Sequence, residues 1–179
     1  MKIDYQQQGK VKFMLYDKML DEMPANMAGV VTTPASTYLL NSDPGCTKLK
    51  KDEDQLFHHL VAKLLYLCKC TRQDIQTAVA FLCIMVREQD TDDYKKLTKV
   101  MQYIHNTRDM TLTIEPDGEA KWWVDSSYAV HPDMKSHTRI YMTLGKGATY
   151  TASCKQKLNR KSSTEAELVA VRKASTYQL

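Results

Sequence analysis

The chain has no apolar run long enough to cross a bilayer. Its longest, Val79 to Val86, falls far short of the roughly 20 residues that a membrane helix needs. Its first 20 residues mix charge and Gln, so neither a membrane segment nor a signal peptide is expected. Cysteine is sparse and irregularly spaced: Cys46, Cys68, Cys70, Cys83 and Cys154 form an odd set, three of them inside apolar helical patterns. That excludes a disulfide framework and fits a reduced, intracellular protein. Cys68 and Cys70 near His58 and His59 lack the usual finger spacing, so no structural zinc is expected.

What is present suffices for a core. With 179 residues and 43% apolar content, the chain can hold one ordinary domain or two small ones. The net charge of +4 is unevenly spread: Lys135 to Lys173 holds nine Lys or Arg against Glu165 and Glu167, a net +7, leaving −3 for the rest. A basic segment suits a polyanion, although lysines also serve plain solubility.

Gly9 to Tyr16 alternates with nearly a period of two and reads as a strand, followed by a short helix through Leu20 and Met23. Thr33 to Asp54 gathers Pro, Gly, Ser and charge without periodicity, a linker. Gln55 to Cys70 repeats Leu56, Leu60, Leu64 and Leu67, widened by Phe57, Val61, Leu65 and Cys68, a core-facing helix. Thr71 and Asp74 have capping-box spacing before Ile75, Ala78, Val79, Leu82 and Val86. Asp92 and Asp93 place negative charge at the start of a third helix through Leu97, Val100, Met101 and Ile104. Beyond Asn106 the period becomes extended. Thr111 to Ile114 and Lys121 to Asp125 flank Pro116-Asp117-Gly118 and predict a hairpin; Thr138 to Leu144 and Ala148 to Cys154, around Gly145-Lys146-Gly147, predict a second. Ser162 and Glu165 form a capping box for a terminal helix.

This order brings Asp125, near a strand end, toward Glu167, one turn into the last helix and on a face with Ala170, Val171 and Ala174. Two such carboxylates can hold a divalent cation. His131 and His137 flank a Pro-containing connection and read as solvated loop histidines that could touch substrate. Trp122 and Trp123 alternate, one for the core and one exposed for stacking or a partner.

Trp123-Val124-Asp125-Ser126-Ser127, Lys155-Gln156-Lys157 and Ser162-Ser163-Thr164-Glu165-Ala166-Glu167 together resemble the ribonuclease H segment of copia-type retrotransposon Pol polyproteins. Upstream, Leu60 to Leu67, Thr71-Arg72-Gln73-Asp74-Ile75 and Ala78-Val79-Ala80-Phe81-Leu82 are similar to the helical stretch between polymerase and nuclease in those elements. The resemblance covers residues 9 to 178. It implies a mixed α/β (α+β) chain: 1–32, a strand-helix remnant of reverse transcriptase; 33–54, a linker; 55–107, a helical connection or thumb-like subdomain; 108–179, an incomplete ribonuclease H-like sheet of two hairpins plus one helix.

By position, the resemblance makes Asp125 and Glu167 catalytic carboxylates and ligands of Mg²⁺ or Mn²⁺, and points to Lys155, Lys157, Arg160 and Lys161 as nucleic-acid contacts for an RNA–DNA hybrid. Ser127 stands where the family usually has a second Asp, and Arg139-Ile140 where it often has a small glycine. The family's remaining nuclease carboxylates are expected beyond residue 179, and its polymerase acids before residue 1. Thr91-Asp92-Asp93, at a helix start without the preceding aromatic, is no substitute for them. The edge of the Asp125 strand is then expected to be unpaired, favouring self-association or complementation by another Pol chain. Three readings stay open: an enzyme fragment without appreciable activity alone, a non-catalytic nucleic-acid-binding module, and a non-functional remnant.

Overall fold

The computed structural model describes all residues except 16–19, 22–23, 25–26, 37, 42–44 and 178–179. Two compact units emerge, one of Met1–Ile3 with Phe13–Thr111, the other of Asp4–Lys12 with Leu112–Leu179. The described residues form a mixed α/β architecture with four α-helices and one five-stranded sheet. In chain order these are β1 (Lys2–Asp4), β2 (Val11–Met14), α1 (Lys51–Cys70), α2 (Gln76–Met85), α3 (Thr91–Asn106), β3 (Thr111–Ser127), β4 (His137–Lys146), β5 (Ala148–Lys155) and α4 (Ser163–Ser175). The strands are ordered β1-β2-β3-β4-β5. No described helix is long and apolar enough to cross a membrane, and all five cysteines are free. Met23, part of the expected short helix, lies outside the described residues.

The first unit is built on α1, α2 and α3. Phe57, Leu60, Val61, Leu64, Leu67 and Cys68 form the buried stripe of α1, and Ile75, Val79, Leu82, Leu97, Val100, Met101 and Ile104 close on it. Burial pushes the Cys68 thiol up to about 12, so it is an inert core group. The helix begins at Lys51, ahead of the Gln55 that the leucine stripe indicates. Asp52, Glu53 and Asp54 occupy its first turn, where carboxylates meet the positive end of the helix, and Glu53 accepts the Lys50 N–H (3.2 Å).

The capping box expected at Thr71 and Asp74 is not made. Residues Gln73–Ile75 form a 3₁₀ turn ahead of α2, and the buried Thr71 hydroxyl has no partner among the described residues. The Asp74 carboxylate instead clamps the fully buried Arg72 guanidinium, accepting from Nε (3.0 Å) and Nη2 (2.8 Å). Arg72 also donates to the Thr107 carbonyl (3.1 Å) and hydroxyl (2.6 Å) and lies over the Tyr103 ring. A buried guanidinium demands such partners, and that demand outweighs the cap. The cap of α3 is Asp90, which accepts the N–H groups of Asp92 (2.8 Å) and Asp93 (2.9 Å).

In the second unit the first expected hairpin is absent. Thr111–Ser127 is one long strand, and Asp117-Gly118 lies in a bulge within it that opens after Pro116. Against β4, Glu115 pairs with Lys146 and Pro116 with Gly145, and pairing resumes at Lys121 with Thr143. Gly118 at φ +89° and an Asp117 carboxylate that accepts the Glu119 N–H (3.0 Å) satisfy the turn chemistry in the outward excursion, while the strand keeps its direction. The second expected hairpin, β4 to β5, is present and antiparallel. On the other side of β3 lies β2, whose four residues take only part of an edge expected to be open; Lys10 Nζ stands 3.3 Å from Glu115 there.

α4 follows Ser162, whose hydroxyl accepts the Glu165 N–H (3.2 Å) while Glu165 takes the Lys161 N–H (2.8 Å). Its buried side chains are Ala166, Ala170 and Ala174; Val171, expected on this face, is 53% exposed. Beneath lie Ile140 and Ala152, with Trp122, Val124 and Tyr150 around them.

Gly147, at φ +80° in the β4–β5 turn, comes so close to β3 that an added Cβ would run into the Thr113 carbonyl oxygen. Gly147→Ala should therefore cost about 1–3 kcal/mol, read as a lowered urea midpoint; an unchanged midpoint would remove the turn from the determinants of this fold.

Candidate metal and nucleic-acid site

Alternation along the end of β3 divides its side chains between two faces. Trp122, Val124 and Ser126 turn toward α4, whereas Trp123, Asp125 and Ser127 turn the other way and are exposed. Glu167 follows the first alanine of the α4 stripe and is half-buried. Its Oε1 accepts the backbone N–H of Ser126 at 3.3 Å. Glu167 thus reaches the backbone step that joins Asp125 to Ser126. Both carboxylates are hard oxygen donors, and one or two carboxylates completed by water and phosphate are an ordinary set for Mg²⁺.

Gln156 fixes this arrangement. It is buried at the exit of β5, and its Nε2 lies within reach of the Ser126 hydroxyl (3.2 Å), the Thr138 hydroxyl (3.0 Å) and the Ala166 carbonyl (3.0 Å), three acceptors sharing two hydrogens. Its Oε1 accepts from Arg160 Nε (3.2 Å), and its backbone N–H donates to the Ser136 carbonyl (2.8 Å). One carboxamide therefore ties the residue after Asp125 to the residue before Glu167. In the sequence this glutamine reads only as the middle of Lys155-Gln156-Lys157. An amide between two lysines where a strand ends was the available signal.

The four basic residues divide by circumstance. Lys155 is paired with Asp133 (2.8 Å), which also holds Lys135 (3.0 Å), and these lysines bring the Asp133 carboxyl down to about 2. Arg160 is held by Gln156 and faces Glu165 at 3.6 Å. Lys157 and Lys161 are exposed, and neither ammonium has an ion-pair partner among the described residues. These two are free to meet phosphate.

His131 and His137 are not solvated loop residues. Both are buried, their rings joined from His131 Nε2 to His137 Nδ1 at 3.0 Å, and His137 Nε2 meets the Ser153 hydroxyl at 2.7 Å. The loop from Tyr128 to Ser136 folds over them: Ser136 Oγ accepts the Ala129 N–H (3.2 Å), His131 N–H donates to the Lys135 carbonyl (3.2 Å), and Met134 adopts φ +59°. Nothing in the spacing of the two histidines signals this. Burial, with repulsion from His131, Arg139 and Lys173, pushes His137 down to about 4.

Among the described residues the acidic trio with ligand-sized spacing is Asp90, Asp92 and Asp93. It caps α3, and Lys96 offsets part of its charge at 2.8 Å from Asp92 and 3.6 Å from Asp93. Among the described residues, neither Asp125 nor Glu167 belongs to such a group.

The structure is thus a mixed α/β chain whose second unit seats Glu167 of α4 against the backbone amide that follows Asp125. The chain is similar to the retrovirus-related Pol polyprotein from transposon TNT 1-94 of Nicotiana tabacum, 26% identical over 160 residues. That match covers 86% of this chain and 12% of the relative, so the chain spans a small part of that polyprotein's length. The similarity supports reading the chain as a fragment of a retrotransposon Pol polyprotein. No family model matches the chain, and no solved structure does.

Two outcomes are expected. Gln156→Ala leaves Ser126, Thr138 and Arg160 short of a buried partner and should lower stability by about 1–3 kcal/mol in urea titration; an unaltered midpoint would mean that water replaces the amide. For His137, the folded protein resists a proton that the unfolded chain accepts, so its contribution is full above pH 6.5 and is lost as pH falls toward about 4. His137→Asn should then lose less stability than wild type between about pH 7 and about pH 5, and equal losses would show that the pair is solvated.

Proposed function

We propose that the chain is a segment of a copia-type Pol polyprotein comprising the end of its reverse transcriptase and part of its ribonuclease H domain. In this reading the second unit is ribonuclease H-like, with Asp125 and Glu167 holding Mg²⁺ or Mn²⁺ against the RNA strand of an RNA–DNA hybrid. The observation that carries it is the Glu167 to Ser126 hydrogen bond at 3.3 Å, which seats a helix carboxylate beside the strand step that bears Asp125. When bound, the metal would neutralise phosphate charge and lower the pKa of a bound water.

The chain's own residues then have separable tasks. Asp125, exposed, offers oxygens to metal and substrate, while Glu167, anchored through Oε1, has its second oxygen available. Gln156 keeps their backbones in register. Lys157 and Lys161 neutralise phosphates along the strand, a contribution to affinity that carries no sequence preference. In this reading the chain alone holds hybrid without appreciable cutting, because displaced ligands are poorly tolerated in such catalysis. A second reading, a binding module with no catalytic part, draws on Lys157 and Lys161 alone.

The experiment titrates Mn²⁺ and a labelled hybrid into the purified chain. Asp125→Asn and Glu167→Gln should each abolish Mn²⁺ binding while sparing hybrid binding in EDTA. Lys157→Gln with Lys161→Gln should weaken hybrid binding and reduce its log–log salt slope by about 2. Mn²⁺ binding that survives both acid variants would exclude the nuclease reading, and hybrid binding with an intact salt slope in the lysine variant would exclude the assigned contacts.

A further inference from the structure

The face of the sheet turned away from α4 is open over part of its length. Register places Trp123 opposite Tyr141 and Asp125 opposite Arg139, with Thr151 and Ser153 continuing these rows onto β5. The next row, Ser127, His137 and Lys155, is closed where His131 packs against His137 with ring centroids 5.2 Å apart. Beside that closed row stand Arg139, exposed and without an ion-pair partner among the described residues, then Trp123 and Tyr141, 52% and 40% exposed. The two rings meet edge to face, centroids 5.5 Å apart and planes at 72°.

A single exposed aromatic needs no explanation. Two in mutual contact, one register step from an unpaired guanidinium on a sheet face, form a surface with a particular chemistry. The edge-to-face packing holds each ring in place and leaves the Trp123 indole partly uncovered, so little side-chain freedom is lost when a flat ring stacks on it. The guanidinium is a fork for a phosphate or for the edge of a base. Aromatic rings on a strand surface with basic groups nearby are how sheets hold unpaired nucleobases. Bases inside a duplex have both faces covered by their neighbours and cannot use such a platform.

We infer that Trp123 and Tyr141, with Arg139, form a stacking platform for an unpaired base of single-stranded nucleic acid. The choice of occupant rests on charge: the segment from Lys135 to Lys173, to which Arg139 and Tyr141 belong, carries a net +7. This rests on the proposed nucleic-acid function and extends it to unpaired strands. The platform needs no metal. It lies two strand positions from Asp125, so a base held on Trp123 would place the neighbouring backbone near the carboxylate pair.

The chain contains two tryptophans, Trp122 and Trp123, so Trp122→Phe leaves Trp123 as the sole indole reporter. In EDTA, a single-stranded oligonucleotide should quench that indole, and Trp123→Ala should weaken binding about tenfold or more. Trp123→Phe should restore most of the loss, and Arg139→Gln should reduce the salt slope by about 0.7. Trp123→Ala binding as tightly as wild type, or an unquenched Trp123 in a formed complex, would overturn the platform even if Mn²⁺ binding upheld the carboxylate site. Sedimentation showing a dimer broken by Trp123→Ala would likewise overturn it, assigning the face to a second copy. Loss of Mn²⁺ binding with quenching retained would remove the nuclease reading and leave the platform standing.

Discussion

The second unit depends on one carboxamide. Its apolar core is small, with Ile140, Ala152 and Ala174 buried and larger rings only at the margin, so hydrophobic burial alone defines the seating of α4 weakly. Gln156 supplies what is missing by bonding the end of β3, the start of β4 and the first turn of α4 at once. A buried amide must satisfy its donors, and this placement of the three elements does so. Gln156 acts beside the direct hydrogen bond from the Ser126 amide to Glu167.

The first unit solves the same problem with a charge and more apolar mass. Arg72 links the turn after α1 to the end of α3, with Asp74, Thr107 and the Tyr103 ring completing its surroundings. Burial by itself would raise the Asp74 carboxyl, but hydrogen bonding and attraction from Arg72 outweigh it and the group stays below the ordinary range. Lys96 behaves similarly, donating to the Asn41 carbonyl at 2.6 Å while lying over the Phe81 ring.

Elements with dense periodic signal were legible in the sequence. The leucines of α1 at three- and four-residue spacing, the glycines between β4 and β5, and Ser162 at the head of α4 each produced the feature they predict. What failed were local signals overridden by distant partners. Pro116-Asp117-Gly118 has the chemistry of a reversal, yet the segments on both sides of it pair with β4, and the strand absorbs the turn as a bulge. Thr71 and Asp74 have the spacing of a cap, yet a buried arginine claimed the aspartate. The carboxylates were visible as candidates from strand and helix order, whereas the atoms that fix them were not: an amide between two lysines and a histidine pair under a loop acquire meaning only after distant residues meet. Four-residue spacing from Glu167 puts Val171 on the packed face in the sequence, whereas the helix turns its alanines there and leaves Val171 exposed.

Those alanines set a dimension. Ala166, Ala170 and Ala174 repeat at four-residue steps and present nothing larger than a methyl group to the sheet. Small side chains let the helix approach the strands closely, and from that position Glu167 touches the amide of Ser126. The clearance between helix and sheet acts as a gauge: thicken the stripe by a few carbon atoms and the whole fold could persist, while the carboxylate would hang short of the strand it now grips.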